Sequence, residues 1–237
     1  MNPTIASITV RGLFGRKRAW ILVPLPVLLI GVALLARVAD HTTSDWGGAV
    51  ITGLGFAAVL PLIALVVGTG VLGSEIDDGT LTHILAKPLP RSEIIFTKLL
   101  VSIVVTGVVA GVPLFIVGLI VGSAALGFAL LAATAVGAIA YSAFFVALSL
   151  LSRRSVLLGL VYVVLWEGVL GNLLAGTRDL SIEQYVVSIA DWLAPNDVLE
   201  RHVGVPTAFV MSLVFTVVAS WIAVSRLRSF SVAGETG

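Results

Sequence analysis

The stretch AALGFALLAATAVGAIAYSAFFVALSLL, from Ala124 to Leu151, contains no charged side chain. At 1.5 Å per residue a helix of this length reaches roughly 40 Å, more than the ~30 Å hydrocarbon core of a bilayer. It is read as a membrane-crossing helix. Five further apolar runs surround it: Trp20 to Ala36, Val50 to Leu72, Leu99 to Val121, Val156 to Ala175 and Val205 to Ser225. Over the 237 residues 58% are hydrophobic and 11% charged, the latter well under half of the roughly 25% found in soluble domains, which excludes a water-soluble fold. The sequence therefore predicts an all-α membrane protein of six transmembrane helices, organised as one transmembrane domain over 1–237. The first run is long and no small-x-small cleavage site precedes Asp40, so it is read as a retained span.

Orientation follows from the basic residues, because Lys and Arg resist translocation. Arg11, Arg16, Lys17, Arg18, Lys87, Arg91, Lys98, Arg153, Arg154, Arg226 and Arg228 fall on one side of the six spans, and only Arg37, Arg178 and Arg201 on the other. Both termini, the loop 73–98 and the short turn at 152–155 are thus expected in the cytoplasm, and the loop 176–204 outside.

In the cytoplasmic loop, Asp78-Gly79 is a turn signal and Thr80 a plausible N-cap. Leu81, Ile84 and Leu85 share one face of a short helix that Pro88 ends. Ser92 is placed to cap the third span, with Glu93 in its first turn. In the external loop, Ser181 with Gln184 forms a capping-box pattern. Ile182, Tyr185, Val186, Ile189 and Leu193 then recur at helical spacing up to Pro195. Asp197 with Glu200 is expected to start a second, shorter helix closed by Gly204. Near the N-terminus Ile5, Ile8, Val10, Leu13 and Phe14 alternate with polar residues before the basic cluster 16–18, the pattern of an interfacial amphipathic helix.

Several chemistries are excluded by what the chain lacks. It has no cysteine, which removes disulfides, thiolate metal sites and cysteine nucleophiles. Its three histidines, His41, His83 and His202, lie in loops, so no membrane histidine serves an intramembrane serine protease, and no His-Glu-x-x-His occurs. Asp77-Asp78-Gly79 stands alone, without the repeat that lipid-phosphate transferases use to hold magnesium. No Gly-x-x-x-x-Gly-Lys phosphate loop is present, so any ATP must be bound by another polypeptide. A net charge of +1 gives no pull toward nucleic acid. The chain is expected to hold no metal or cofactor of its own.

Small residues are spaced for close helix approach in lipid: Gly107 and Gly111, Gly118 and Gly122, and the series Ala125, Ala129, Ala133, Gly137. They serve packing within the bundle or against a second subunit. Pro61 and Pro113 mark kinks. Glu167 is the acidic residue well inside a span, near Asn172, and a carboxylate there must be protonated, paired or hydrated. It either bonds a neighbouring helix or the external helices, lines a path, or relays protons.

The segment Gly73-Ser-Glu75-Ile-Asp77-Asp78-Gly79-Thr80-Leu81-Thr-His83-Ile84-Leu85-Ala-Lys87-Pro88-Leu-Pro-Arg91 and on to Lys98 closely resembles the cytoplasmic loop of ABC-2 type transporter permeases. The shared pattern is a glutamate, Gly-Thr-Leu, apolar residues, a proline, an arginine and a lysine opening the third span. Trp166-Glu167-Gly168 with the loop after it is similar to the family's fifth span and outer loop. The resemblance implies a permease subunit that pairs with a second copy or a paralogue. It also implies that separate ATPase subunits bind ATP and magnesium and dock on the cytoplasmic face. The helix Thr80 to Lys87 would be the coupling helix, with Glu75, Asp77, Asp78 and Arg91 around it and the N-terminal amphipathic segment as a connecting helix. Localisation would be a prokaryotic inner membrane, in contact with lipid, and transport would be export. The alternatives are an ATP-independent secondary transporter or channel using Glu167 as a proton or cation site, and an assembly or immunity subunit.

Overall fold

The computed structural model describes residues 7, 9, 10, 12, 13, 22–39, 43–77, 91–170, 178 and 180–229, and among them there is no strand. Helix α1 runs Pro24–Ala39. Helix α2 (Thr43–Gly48) passes into a wider π-helical stretch, π1 (Ala49–Val59), and then α3 (Leu60–Asp77). Helices α4 (Arg91–Val121) and α5 (Ala124–Leu151) form a long hairpin. Helix α6 (Ser155–Val161) continues as π2 (Tyr162–Leu170), followed by α7 (Ile182–Leu193) and α8 (Val205–Ser229).

Among the described residues, four helical runs are long and apolar enough to cross a membrane: Trp46–Leu72, Ser92–Val121, Ala124–Leu151 and Val205–Leu227. Two more, Pro24–Ala39 and Ser155–Val169, are apolar but shorter. These two correspond to the predicted first and fifth spans, whose residues 20–21 and 171–175 lie outside the described part of the chain.

Helix α5 is the hub, packed against α3, α4, α7 and α8. Its centrality follows from its small residues, which let backbones approach where side-chain burial gives no net hydrophobic gain in lipid. At the α4–α5 crossing a Cβ on Gly118 would come within 2.5 Å of the Gly127 Cα, so only glycine fits. On the opposite flank a Cβ on Gly137 would meet Leu60 of α3 at 2.8 Å and Val186 of α7 at 2.7 Å. The turn between α4 and α5 is closed by Ser123, whose hydroxyl accepts from the Leu126 N–H at 3.2 Å.

Proline acts differently at the two marked positions. Pro113 lies within α4. Pro61 stands where π1 gives way to α3: the Leu60 N–H reaches back five residues to the Gly55 carbonyl, and Pro61, having no N–H, cannot continue that register.

Three expectations need correction. Helix α3 persists through Asp77 and α4 begins at Arg91, directly after Pro90, so the connection is 78–90 rather than 73–98. Hydropathy marks only the lipid-crossing part of a helix, and polar turns extend it into the interface. Ser92 accordingly sits inside α4 rather than at its cap. The second external helix expected at Asp197 does not form. The Asn196 side chain accepts from the N–H groups of Val198 (2.8 Å) and Leu199 (3.1 Å) and donates to the Ala194 carbonyl (2.6 Å), closing an isolated turn that the following residues do not extend into a helix. Of the amphipathic N-terminal segment, Ser7, Thr9, Val10, Gly12 and Leu13 are helical, with Leu13 buried and Val10 exposed. Ile5, Ile8, Phe14 and the basic cluster 16–18 lie outside the described residues.

Candidate functional site

Two ends of the bundle carry polar structure. At the end bearing the connection 78–90, Glu75 and Asp77 belong to the last turn of α3 and Arg91 opens α4. Asp78, Gly79, Thr80, Leu81, His83, Ile84, Leu85 and Lys87 lie outside the described residues. What the structure does show is how the two flanking helices are joined. Lys98 is fully buried and its Nζ donates to the Val71 carbonyl at 2.7 Å, tying α4 to the last two turns of α3. A buried ammonium is tolerated only when its hydrogens are taken up, so this contact is specific as well as close. The sequence places Lys98 at the end of the loop 73–98, as the lysine opening the third span. The Pro90 break just before Arg91 was the available signal that it lies two helical turns inside.

At the opposite end, Glu167 of π2 is completely buried. Its Oε1 accepts from the Tyr162 hydroxyl at 2.8 Å and from the Ile182 N–H at 3.2 Å, and its Oε2 from the Ser181 hydroxyl. Ser181 is the N-cap of α7, its oxygen also receiving the Gln184 N–H at 3.4 Å. Glu167 thus completes the cap of a helix from another part of the chain, at the end where the helix dipole favours negative charge. Trp166 beside it donates from Nε1 to the Leu180 carbonyl at 3.3 Å. Helix α7 is then held laterally by ring contacts of Tyr185 with Phe215 and Trp192 with Phe209. Asn172 lies outside the described residues.

Beside this cap, π1, α7 and the turn after it enclose a polar cavity of about 310 Å³, lined by Thr52, Glu183, Gln184, Asp197, Glu200 and His202 among others. Burial pushes the Glu183 carboxyl up to about 8, the charge of Glu167 adding to the rise. Elsewhere, an apolar groove of about 260 Å³ runs between Phe144, Leu148 and Leu151 of α5 and Val214, Val218 and Ile222 of α8. It offers an occupant burial and dispersion only. Buried hydroxyls without a partner among the described residues lie along α4 (Thr97, Ser102, Thr106) and α5 (Ser142). Among the described residues no group of three or more histidines and carboxylates has metal-holding geometry.

Compared with known families, residues 17–200 match the model of the ABC-2 family transporter proteins, which is most of the chain. The chain belongs to the ABC-2 transporter family. No curated protein sequence matches it. The family makes this helical bundle a multi-pass membrane component of a transporter, and its matched segment takes in both the connection 78–90 and the Glu167–Ser181 cap. Sequence reading singled out Glu167 but missed Glu183, whose place in the first turn of an amphipathic helix reads as solvated; only the packing of α7 under π1 and the following turn buries it.

Proposed function

We propose that this chain is the permease subunit of an ATP-driven ABC-2 exporter in an inner membrane, with six spans and both termini in the cytoplasm. The observation that carries the reading is the family match over residues 17–200. Separate ATPase subunits bind ATP and magnesium and dock on the connection 78–90. The segment from Thr80 to Lys87 serves as the coupling helix, flanked by Glu75, Asp77, Asp78 and Arg91. Two copies, or this chain and a paralogue, surround the transport path and alternate between inward and outward access. The Lys98–Val71 contact supports this mechanism, because helices locked together near their cytoplasmic ends move as one when the connection between them is pushed.

The alternative, an ATP-independent carrier or channel using Glu167, has less support: three donors already occupy its two oxygens. Affinity isolation of the tagged chain from its native membrane tests the proposal. A nucleotide-binding subunit that hydrolyses ATP is expected to accompany it; transport by the chain alone, without nucleotide, would overturn it.

A further inference from the structure

The cavity beside the Glu167 cap has a one-sided hydrogen-bonding imbalance. Glu183 is 3% exposed and Gln184 6% exposed, and both line the cavity. Among the described residues the Glu183 Oε2 and the Gln184 Oε1 have no hydrogen-bond partner. With Glu183 ionised, both orphan atoms are acceptors. Asp197 and Glu200 add two further carboxylates to the lining, while the Thr52 hydroxyl spends its proton on the Gly48 carbonyl at 2.6 Å. Arg201, adjacent to Glu200, is turned away to Asp191 at 3.8 Å. That leaves His202 as the lining side chain of basic type, with its Nδ1 3.0 Å from the Glu200 carbonyl.

Unpaired acceptors that are nine-tenths buried cost about 1–3 kcal/mol each, and a group with several N–H donors and a positive charge would relieve them together. We infer that this cavity binds a donor-bearing organic cation, an alkylammonium or guanidinium group. A divalent metal fits less well, since the carboxylates and His202 do not converge in metal-holding geometry. The volume suits a headgroup-sized ligand, and Ala49, Val187 and Val198 supply apolar wall for its carbon atoms. The raised Glu183 carboxyl agrees with this, because an incoming cation takes the place of a proton. Glu167 from π2, Tyr141 from α5, and Asp197, Glu200 and His202 from the turn share the same field. The site rests on the transport proposal only for its placement on the external face.

The test uses the full chain in phosphatidylcholine nanodiscs, with ethylammonium as the probe in titration calorimetry. Wild type is expected to bind saturably, and more tightly at pH 8.5 than at pH 6.5. Tetramethylammonium, which has the charge but no N–H, is expected neither to bind nor to compete. Glu183→Gln should weaken binding at least tenfold and remove the pH dependence, which separates Glu183 from His202. Glu200→Gln, on the exposed rim, should weaken it severalfold while leaving the fold intact, and serves if the buried variant does not fold. Repeating the titration in discs containing phosphatidylethanolamine distinguishes the source: weaker ethylammonium binding assigns the site to a lipid amine, unchanged binding to a soluble one. Absence of saturable binding, equal binding of tetramethylammonium, or an unchanged Glu200→Gln and Glu183→Gln affinity overturns the inference. These are measurements on the isolated chain, so their failure is distinct from failure to recover an ATPase.

Discussion

Leu81→Asp or Leu85→Asp is expected to abolish association with the ATPase while leaving the chain in the membrane at its normal level. In the proposed coupling helix, Leu81, Ile84 and Leu85 share one face, and a short helix docking on a protein surface draws its affinity from a few buried apolar anchors. Replacing one anchor with aspartate loses its burial, about 2 kcal/mol, and adds the cost of bringing an unpaired carboxylate into the contact. Every 1.4 kcal/mol is a factor of ten, so association should fall by about a hundredfold or more. Co-purification of the ATPase at wild-type yield with both variants would remove these leucines from the contact. Insertion is not at risk, because the substitutions lie between Asp77 and Arg91, outside the long apolar runs that cross the membrane.

Glu167→Ala is expected to lower stability by about 3–5 kcal/mol, whereas Glu167→Gln costs about 1 kcal/mol. Alanine leaves the Tyr162 hydroxyl, the Ser181 hydroxyl and the Ile182 N–H without their acceptor in a site from which water is excluded. Glutamine keeps one acceptor oxygen for Tyr162 and Ile182, and its amide can donate to a Ser181 hydroxyl that rotates to receive it. Thermal unfolding in detergent, followed by tryptophan fluorescence, measures both, and Trp166 next to the site and Trp192 on α7 report the release of that helix. A wild-type melting curve for Glu167→Ala would mean the cap contributes nothing. Equal losses for the two variants would mean that charge, rather than hydrogen bonding, holds α7.

Much of the fold is legible in the sequence because lipid imposes a simple rule: a long run without charge must be a helix. Ala124 to Leu151 has the same bounds in hydropathy and in the structure. The α7 helix was equally readable, since Ser181 as cap and the spacing from Ile182 to Leu193 are local signals that tertiary packing did not override, although the Gln184 side chain does not complete the capping box and the Ser181 N–H goes to the Arg178 carbonyl instead. Where reading failed, a polar residue had two possible roles. Lys98 has the composition of a loop and the burial of a core residue, and only the position of Pro90 distinguishes them. Asp197 and Glu200 carry the charge pattern of a helix start, and Asn196 accepts from the Val198 and Leu199 N–H groups as a cap would, yet the chain makes only a turn there. Glu183 could not be placed at all, because its burial depends on π1 and the turn at 197–202, distant in sequence and brought together only by the fold.

The central claim is that the connection between α3 and α4 faces the cytoplasm and meets an ATPase. The chain has no cysteine, so His83→Cys introduces a single reactive thiol into that connection. Labelling with a membrane-impermeant maleimide is expected to be fast in inverted vesicles stripped of ATPase, slowed at least tenfold when the ATPase is bound, and absent in intact cells. Rapid labelling of intact cells, or labelling in inverted vesicles that the bound ATPase leaves unchanged, would contradict it.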